Sequence, residues 1–160
     1  MATRLEKAKT IRKEVTKFLT RKGLSCHYEV GLNKWGKLRA DILSFNYKGK
    51  MIVVEVKSSL ADYKTDKKWQ DYLKFSTQFY FAFDSDFPLT KEIIKEIKST
   101  GAGILVVDLE SNIKLYRSNS TKTIASAKVR QIDEDEKFAI IARLAYRAGK
   151  LRTNKNTWMK

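Results

Sequence analysis

The stretch from Arg39 to Ser59 constrains the fold of this chain more than any other part of the sequence. It runs RADILSFNYKGKMIVVEVKSS, with two apolar, β-branched-rich runs on either side of Asn46-Tyr47-Lys48-Gly49-Lys50. Such runs favour β-strands, and a short polar segment with glycine between them favours a tight connection. The sequence therefore predicts an antiparallel hairpin with strands at Arg39–Phe45 and Met51–Lys57.

A hairpin centred on Lys48 determines which residues face each other. In that register Asp41 faces Glu55 and Arg39 faces Lys57. Because side chains alternate between the two faces of a strand, these four lie on one face at one end of the hairpin. Apolar residues continue both faces, which predicts a sheet covered on both sides; they are Leu43, Phe45, Met51 and Val53 on one face and Ile42, Ile52, Val54 and Val56 on the other.

Two carboxylates directly opposite each other repel, so the pair should destabilise the hairpin unless a cation lies between them. Asp41 and Glu55 are therefore candidate ligands of one or two Mg²⁺ (or Mn²⁺) ions, with the Val56 carbonyl as a further ligand. A metal there would polarise a phosphodiester and lower the pKa of a bound water. Lys57 would orient that water or stabilise the charge developing on the phosphoryl group. The alternative is a salt-bridged strand pair with no metal.

Composition excludes several other kinds of site. With one His and one Cys in 160 residues, a four-ligand zinc site built only from His and Cys cannot form. Cys26 has no partner for an internal disulfide, which favours a cytoplasmic location, or the host cytoplasm for a virus-encoded chain. No apolar run is long enough to span a membrane, so no membrane partner is expected. The formal net charge of +15 favours a polyanionic partner, with nucleic acid first.

Hydrophobic periodicity predicts the remaining elements. These are a basic amphipathic helix over 4–22, strands at 24–30, 78–83, 104–108 and 113–116, a helix over 65–75, and a helix capped by Thr90. Asp133, Glu134, Asp135 and Glu136 open a last helix that Gly149 ends, as the helix dipole and C-cap preferences favour. The sequence thus predicts a single α/β domain over 1–149, with a central mixed sheet flanked by helices, and a basic tail over 150–160.

An acidic residue on one strand, followed by Glu55-Val56-Lys57 on the next, resembles the signature of the PD-(D/E)XK nuclease superfamily. Ala40 stands where the proline of the motif would be. The longer run, RADIL followed by VVEVKSSLADYKTDKKWQDYLKFSTQFYFAF, is similar to the MmcB-like DNA-repair group of that superfamily, over about residues 10–110. The resemblance implies a restriction-endonuclease-like fold, Mg²⁺-dependent or Mn²⁺-dependent chemistry, and Asp41, Glu55 and Lys57 as the catalytic residues.

Further candidates come from the same resemblance. Some superfamily members add an acidic residue from the first helix, and Glu14 is the candidate here, against a role as a solvated partner of nearby lysines. Lys68 and Tyr72 resemble a Gln-x-x-x-Tyr pair that could contact phosphate, although Tyr72 equally suits a structural role. Arg39 and Ser58 flank the signature as additional candidates; Asp62 and Asp66 suit loop and cap positions.

Two basic segments are expected to contact nucleic acid. The first helix presents Arg12, Lys13 and Lys17, all predicted to be exposed. The loop beside the site holds Lys34, Trp35 and Lys37, and Trp35 would either stack on an unpaired base or pack on the sheet.

Together these features predict a metal-dependent DNA nuclease, an endonuclease rather than an exonuclease, acting in repair, recombination or DNA processing. Its substrate would be duplex, branched or single-stranded DNA, and a homodimer is an open alternative to a monomer. Two other functions stay open. One is a non-catalytic DNA-binding repair accessory on the same fold, and the other is an RNA-binding or RNA-processing protein.

Overall fold

A six-stranded mixed sheet forms the centre of the protein in the computed structural model, which describes the backbone of residues 3–110 and 120–156 and side chains up to residue 151. Its strands lie side by side in chain order: β1 (Ser25–Gly31), β2 (Arg39–Phe45), β3 (Met51–Val56), β4 (Gln78–Asp84), β5 (Gly103–Val107) and β6 (Thr121–Ala125). β3, β4 and β5 pair in parallel, and the other neighbours are antiparallel. The predicted central mixed sheet is confirmed.

Helices cover both faces of the sheet. They are α1 (Arg4–Arg21), α2 (Leu60–Thr65), α3 (Lys91–Ser99) and α4 (Glu134–Asn156), with a 3₁₀ helix at Trp69–Phe75. The apolar side of α1 packs on one face, on residues that include Ile42 and Val54. The other helices contribute to the core on the opposite face, where Leu43 and Val53 lie. No helix in the described ranges is long and apolar enough to cross a membrane.

The register of the β2–β3 hairpin is the predicted one. Ile42 pairs with Val54, and Phe45 pairs with Met51 next to the connecting loop. The two faces alternate as expected, because each is buried under a different helical layer and a one-residue slip would exchange them. This register brings Asp41 and Glu55 to the end of the hairpin away from the loop.

The single helix expected over 65–75 is wrong. α2 ends at Thr65, Asp66 is extended (φ −77, ψ 101), and the 3₁₀ helix begins at Trp69. Ser59 starts α2 by accepting a hydrogen bond from the Asp62 N–H, which places the helix earlier than the apolar pattern suggests. Trp69 and Tyr72 are both buried, and a three-residue repeat places them on the same side.

The end of the last helix is also not where the sequence predicts it. α4 continues through Gly149 to Asn156, because a glycine inside a helix costs only about 1 kcal/mol and no proline follows it. The expected division between domain and tail at 149/150 therefore falls within α4. The sequence does not predict β6, whose middle residues, Lys122, Thr123 and Ile124, include one apolar side chain and are all exposed. The strand predicted at 113–116 lies outside the described residues.

Candidate functional site

Asp41 and Glu55 are held against each other where the β2–β3 ladder ends. Glu55 Oε1 accepts a hydrogen bond from the Asp41 N–H at 3.1 Å, and Asp41 Oδ2 accepts one from the Val56 N–H at 2.8 Å. Each carboxylate is thus fixed by the backbone of the opposite strand. Within the described part of the chain, the second oxygens, Asp41 Oδ1 and Glu55 Oε2, accept no hydrogen bond.

The surroundings of this pair disfavour two negative charges. Burial raises the pKa of Asp41. Burial, together with the nearby Asp41 charge, raises the pKa of Glu55 to about 9. Without a cation, the pair therefore favours keeping a proton. A divalent ion between the carboxylates would replace that proton and offset the repulsion, so the residues present fit a metal.

Lys57 completes the group and has a second acidic partner. Its side chain is buried, with Nζ 3.9 Å from Glu55 Oε2 and 2.5 Å from Asp66 Oδ2. Asp66 also accepts a hydrogen bond from the Lys68 N–H at 3.0 Å. Asp66 therefore fulfils the expected loop role and also positions the Lys57 ammonium, which sequence reasoning missed. No local pattern could indicate this, since Asp66 follows Lys57 by a helix and a turn.

These residues open into a cavity of about 350 Å³ beside α1, at the ends of β2 and β3. Asp41, Glu55, Val56 and Lys57 are among the residues that line it. The remaining wall is contributed mainly by polar and charged side chains: Lys9 and Arg12 from α1, Glu29 from β1 and Asp62 from α2, with Leu5 and Ala8. Ser58 lies beside it, where its Oγ accepts a hydrogen bond from Arg4 Nε at 3.3 Å. The cavity is open to solvent and has room for a phosphate group.

Glu29 is a site residue that the sequence did not indicate. It is the one non-glycine residue with a positive φ (53°) among those the structure describes, and it lies in β1 beside Asp41. Such a backbone conformation costs of order 1–2 kcal/mol. Its carboxylate forms ion pairs with Arg12 at 3.2 Å and Arg39 at 2.8 Å. Arg39 therefore lies at the rim of the site, engaged with Glu29.

The expectation that Arg12 is exposed is wrong. Its side chain is half-buried, bonded to Glu29, with the guanidinium 4.7 Å from the centroid of the Tyr28 ring. Lys13 and Lys17 are exposed as expected. Lys17 nevertheless has a partner, because its Nζ donates to Glu14 Oε1 at 2.7 Å.

Glu14 does not line the cavity. It is the partner of a nearby lysine, Lys17, as the alternative role expects, but it is buried rather than solvated. Its carboxylate is buried and also accepts a hydrogen bond from Ser120 Oγ, just before β6, at 2.9 Å. Side chains two positions apart in a helix differ by about 200° in direction. Glu14 therefore points away from the side of α1 on which Arg12 lines the cavity. It joins α1 to the far edge of the sheet.

Tyr72 and Lys68 lie in different surroundings. Tyr72 is buried, its Oη donates to the Arg39 carbonyl at 2.9 Å, and its ring stacks on Phe79. It therefore anchors the start of β2. Lys68 is exposed and lies with Lys37 around a second cavity of about 300 Å³, separate from the carboxylates.

The ligand set available for a metal is small. In the ranges that the structure describes, no group of three or more His, Cys, Asp or Glu residues could hold an ion. Asp41 and Glu55 are two carboxylates that lie together at the cavity. Mg²⁺ suits such a set, because it keeps several waters and is held by one or two carboxylates together with substrate phosphates.

Comparison with known proteins gives a family match over nearly the whole chain. The family model described as "DNA repair protein MmcB-like" matches residues 2–152. The SPO1766 protein of unknown function from Silicibacter pomeroyi is similar in structure, with a TM-score of 0.72 at 23% identity over 94% of this chain and 91% of that chain. That likeness concerns the fold and confirms the predicted α/β architecture.

A second solved structure, an XisH family protein from Nostoc punctiforme PCC 73102, has a TM-score of 0.48 at 18% identity, covering 63% of this chain and 92% of that chain. Among curated proteins, no match was found.

Proposed function

The chain belongs to the MmcB-like family of DNA repair proteins, and from that membership we propose that it is a metal-dependent deoxyribonuclease. The family suggests a role in DNA repair. The observation that supports hydrolysis is the pair of half-buried Asp41 and buried Glu55 at an open cavity, with the Lys57 ammonium 3.9 Å from Glu55. Neighbouring acids with raised pKa values at a cavity are typical of functional sites.

Each residue of the pair has a defined task in this proposal. Asp41 and Glu55, with the Val56 carbonyl, would hold Mg²⁺ or Mn²⁺. When bound, such an ion supplies Lewis-acid polarisation of the phosphate and lowers the pKa of a water. Lys57 provides a positive charge whose position is set by Asp66, so little reorganisation is needed as negative charge grows on the phosphate oxygens. Lys9, on the cavity wall, is placed to contact a neighbouring phosphate.

The test is a cleavage panel of duplex, flap, junction and single-stranded DNA with Mg²⁺, with Mn²⁺ and with a chelator. We expect metal-dependent cleavage of at least one substrate, lost in Asp41→Asn and Glu55→Gln. Internal cuts would support an endonuclease, and release of terminal nucleotides an exonuclease. Absence of cleavage on every DNA would contradict the proposal, and faster cleavage of length-matched RNA would redirect it to RNA processing.

The rival function is a non-catalytic DNA-binding repair accessory on the same fold. One observation favours it: Lys57 Nζ lies closer to Asp66 than to Glu55, as in a purely structural ion pair. Tight DNA binding with no metal-dependent cleavage on the panel would support this rival. A homodimer, which would place two sites on opposite strands, stays a prediction that sedimentation equilibrium checks.

A further inference from the structure

We propose that Trp35 is a stacking platform for an unpaired base, so that the preferred DNA carries an unpaired nucleotide next to the bond at the Asp41–Glu55 site. The proposal rests on the proposed function for the position of the bond, but its binding step is independent of cleavage. It concerns the loop of residues 32–38, which joins β1 to β2.

The loop lies at the same end of the sheet as the carboxylates. β1 ends at Gly31, β2 begins at Arg39, and Asp41 follows two residues later. Glu29 and Asp41 both line the cavity of the site, so the strands on both sides of the loop lead directly into it. A nucleic acid strand with a phosphate at Asp41 would therefore pass near residues 34–37.

Trp35 is exposed, although hydrogen bonds join the loop residues around it. Its exposed fraction is 76%, so the alternative of packing on the sheet is wrong. The Leu32 N–H donates to the Leu38 carbonyl at 2.8 Å, and Asn33 accepts from the Gly36 N–H at 3.0 Å and, through Oδ1, from the Leu38 N–H at 3.2 Å. Gly36 has φ +64°, the left-handed conformation that glycine adopts readily.

A second element holds the same loop from outside. Arg143 of α4 donates from Nη2 to the Leu32 carbonyl at 2.8 Å. The indole thus lies on a loop whose two ends are hydrogen-bonded to each other and whose first residue is also bonded to α4, which lowers the cost of ordering when a ligand binds. Single exposed aromatic rings are common on protein surfaces, so the binding role of Trp35 is inferred from its position beside the site and from the charges near it.

The charges around Trp35 favour a polyanion. Lys34 Nζ lies 5.4 Å from the centroid of the indole ring. Lys37, Lys68 and Lys74 surround the adjoining cavity of about 300 Å³, together with Asn33 and one acid, Asp71. A positive groove with an aromatic platform is the combination by which proteins bind single-stranded nucleic acid. An apolar peptide would not need these lysines.

The base must be unpaired because the faces of paired bases are already stacked within the duplex. A ring at the end of a loop can reach a base face only where the strand is single, gapped, flapped or frayed. The structure thus points to DNA with an unpaired nucleotide rather than to uninterrupted duplex.

The test compares the affinities of a single strand, a gapped duplex and a blunt duplex that carry 2-aminopurine, in buffer with chelator so that no cleavage occurs. Trp35→Ala should weaken binding of the single strand and the gapped duplex about tenfold, abolish quenching of 2-aminopurine, and change blunt-duplex affinity less than twofold. Trp35→Phe should keep part of both effects. Tyr47→Ala is the matched control, because Tyr47 is 94% exposed beside Lys48 in the loop at the opposite end of the hairpin.

Equal effects of Trp35→Ala and Tyr47→Ala would overturn the proposal. An equal loss on single-stranded and blunt-duplex DNA would also overturn it, since the loop would then act on phosphates alone. The proposal would also be overturned if Trp35→Ala left all DNA affinities unchanged but abolished binding to anionic lipid vesicles. The proposed function can fail separately. Binding that depends on Trp35, without cleavage of any DNA, would support the stacking role and contradict the nuclease. Cleavage that depends neither on an unpaired base nor on Trp35 would support the nuclease and contradict the stacking role.

Discussion

Lys57 lies near two acids, Glu55 at the proposed metal site and Asp66 in the segment after α2. Substituting Lys57 distinguishes a catalytic role from a structural one. If its ammonium acts on a phosphate, Lys57→Ala should lose about 10²–10³ of the cleavage rate while keeping metal binding and most DNA affinity. Lys57→Arg should fail too, because a planar guanidinium is not equivalent to the compact ammonium that Asp66 holds at 2.5 Å. Single-turnover cleavage by the folded variants is the measurement. A near-parental rate with only modest destabilisation would show that Lys57 is a structural partner.

Asp41 and Glu55 predict how stability responds to metal and pH. Burial and the Asp41 charge raise the pKa of Glu55 from its ordinary value of 4.5 to about 9 in the folded protein, so between these values the folded state binds more protons than the unfolded state. The metal-free Tm should therefore fall as pH rises through that window. Mg²⁺ should raise the Tm near neutral pH. At a concentration of 100 times its Kd, the ion should add about 2.7 kcal/mol to the free energy of unfolding.

Asp41→Asn is the corresponding variant. It removes one of two like charges, so the metal-free protein should be as stable as the parent or more stable near neutral pH, and the fall in Tm with pH should be smaller. The Mg²⁺ increment should disappear. Calorimetry with and without metal checks this, and an unchanged increment in the variant would exclude Asp41 as a ligand.

At the scale of elements, one side of α1 lines the cavity of the site and another side joins the helix to the segment before β6. One side lines the cavity with Lys9 and Arg12, while Glu14 is bound to Lys17 and to Ser120 near β6. Burial alone would raise the pKa of Glu14, but the hydrogen bonds from Lys17 and Ser120 outweigh it and lower the pKa. Glu14 therefore contributes stability above its ordinary pKa of 4.5, and this contribution is lost as pH falls through the lowered value.

Glu14→Gln should accordingly lower the stability by about 1 kcal/mol near neutral pH and leave the Mg²⁺ increment in Tm as large as in the parent. Thermal unfolding at neutral pH and at acidic pH checks both parts. If the variant instead lost its response to Mg²⁺, Glu14 would be a metal ligand after all and its contact with Ser120 would have to break.

At the scale of the whole molecule, the net charge of +15 predicts strongly salt-dependent DNA binding. Each neutralised phosphate releases counterions, and we expect at least about a tenfold fall in affinity between 50 and 200 mM salt. Lys13→Glu should weaken binding to all sequences and lower the salt slope by roughly one. Lys13 is exposed, so its reversal should not disturb the fold, whereas reversing Arg12 would place two acids together. Affinity that does not change with salt would contradict a phosphate-dominated interface.

The sequence by itself determined the parts of this protein that depend on short-range periodicity. A short loop centred on Lys48, with an apolar strand on each side, was enough to predict the hairpin register and the meeting of Asp41 with Glu55. The spacing of apolar residues likewise predicted α1 and, with the Thr90 cap, α3. Composition alone excluded a four-ligand His/Cys zinc site in a single chain.

Only the tertiary structure decided which charged side chains meet across long stretches of chain. Ser120 and Glu14 are 106 residues apart, and Arg143 lies 111 residues from Leu32. Asp66 approaches Lys57 because α2 ends at Thr65, and Glu29 reaches Arg12 and Arg39 through a positive φ inside a strand. Such pairs leave no periodic signal, because they depend on how packed elements direct individual side chains, and packing is settled by the whole core at once.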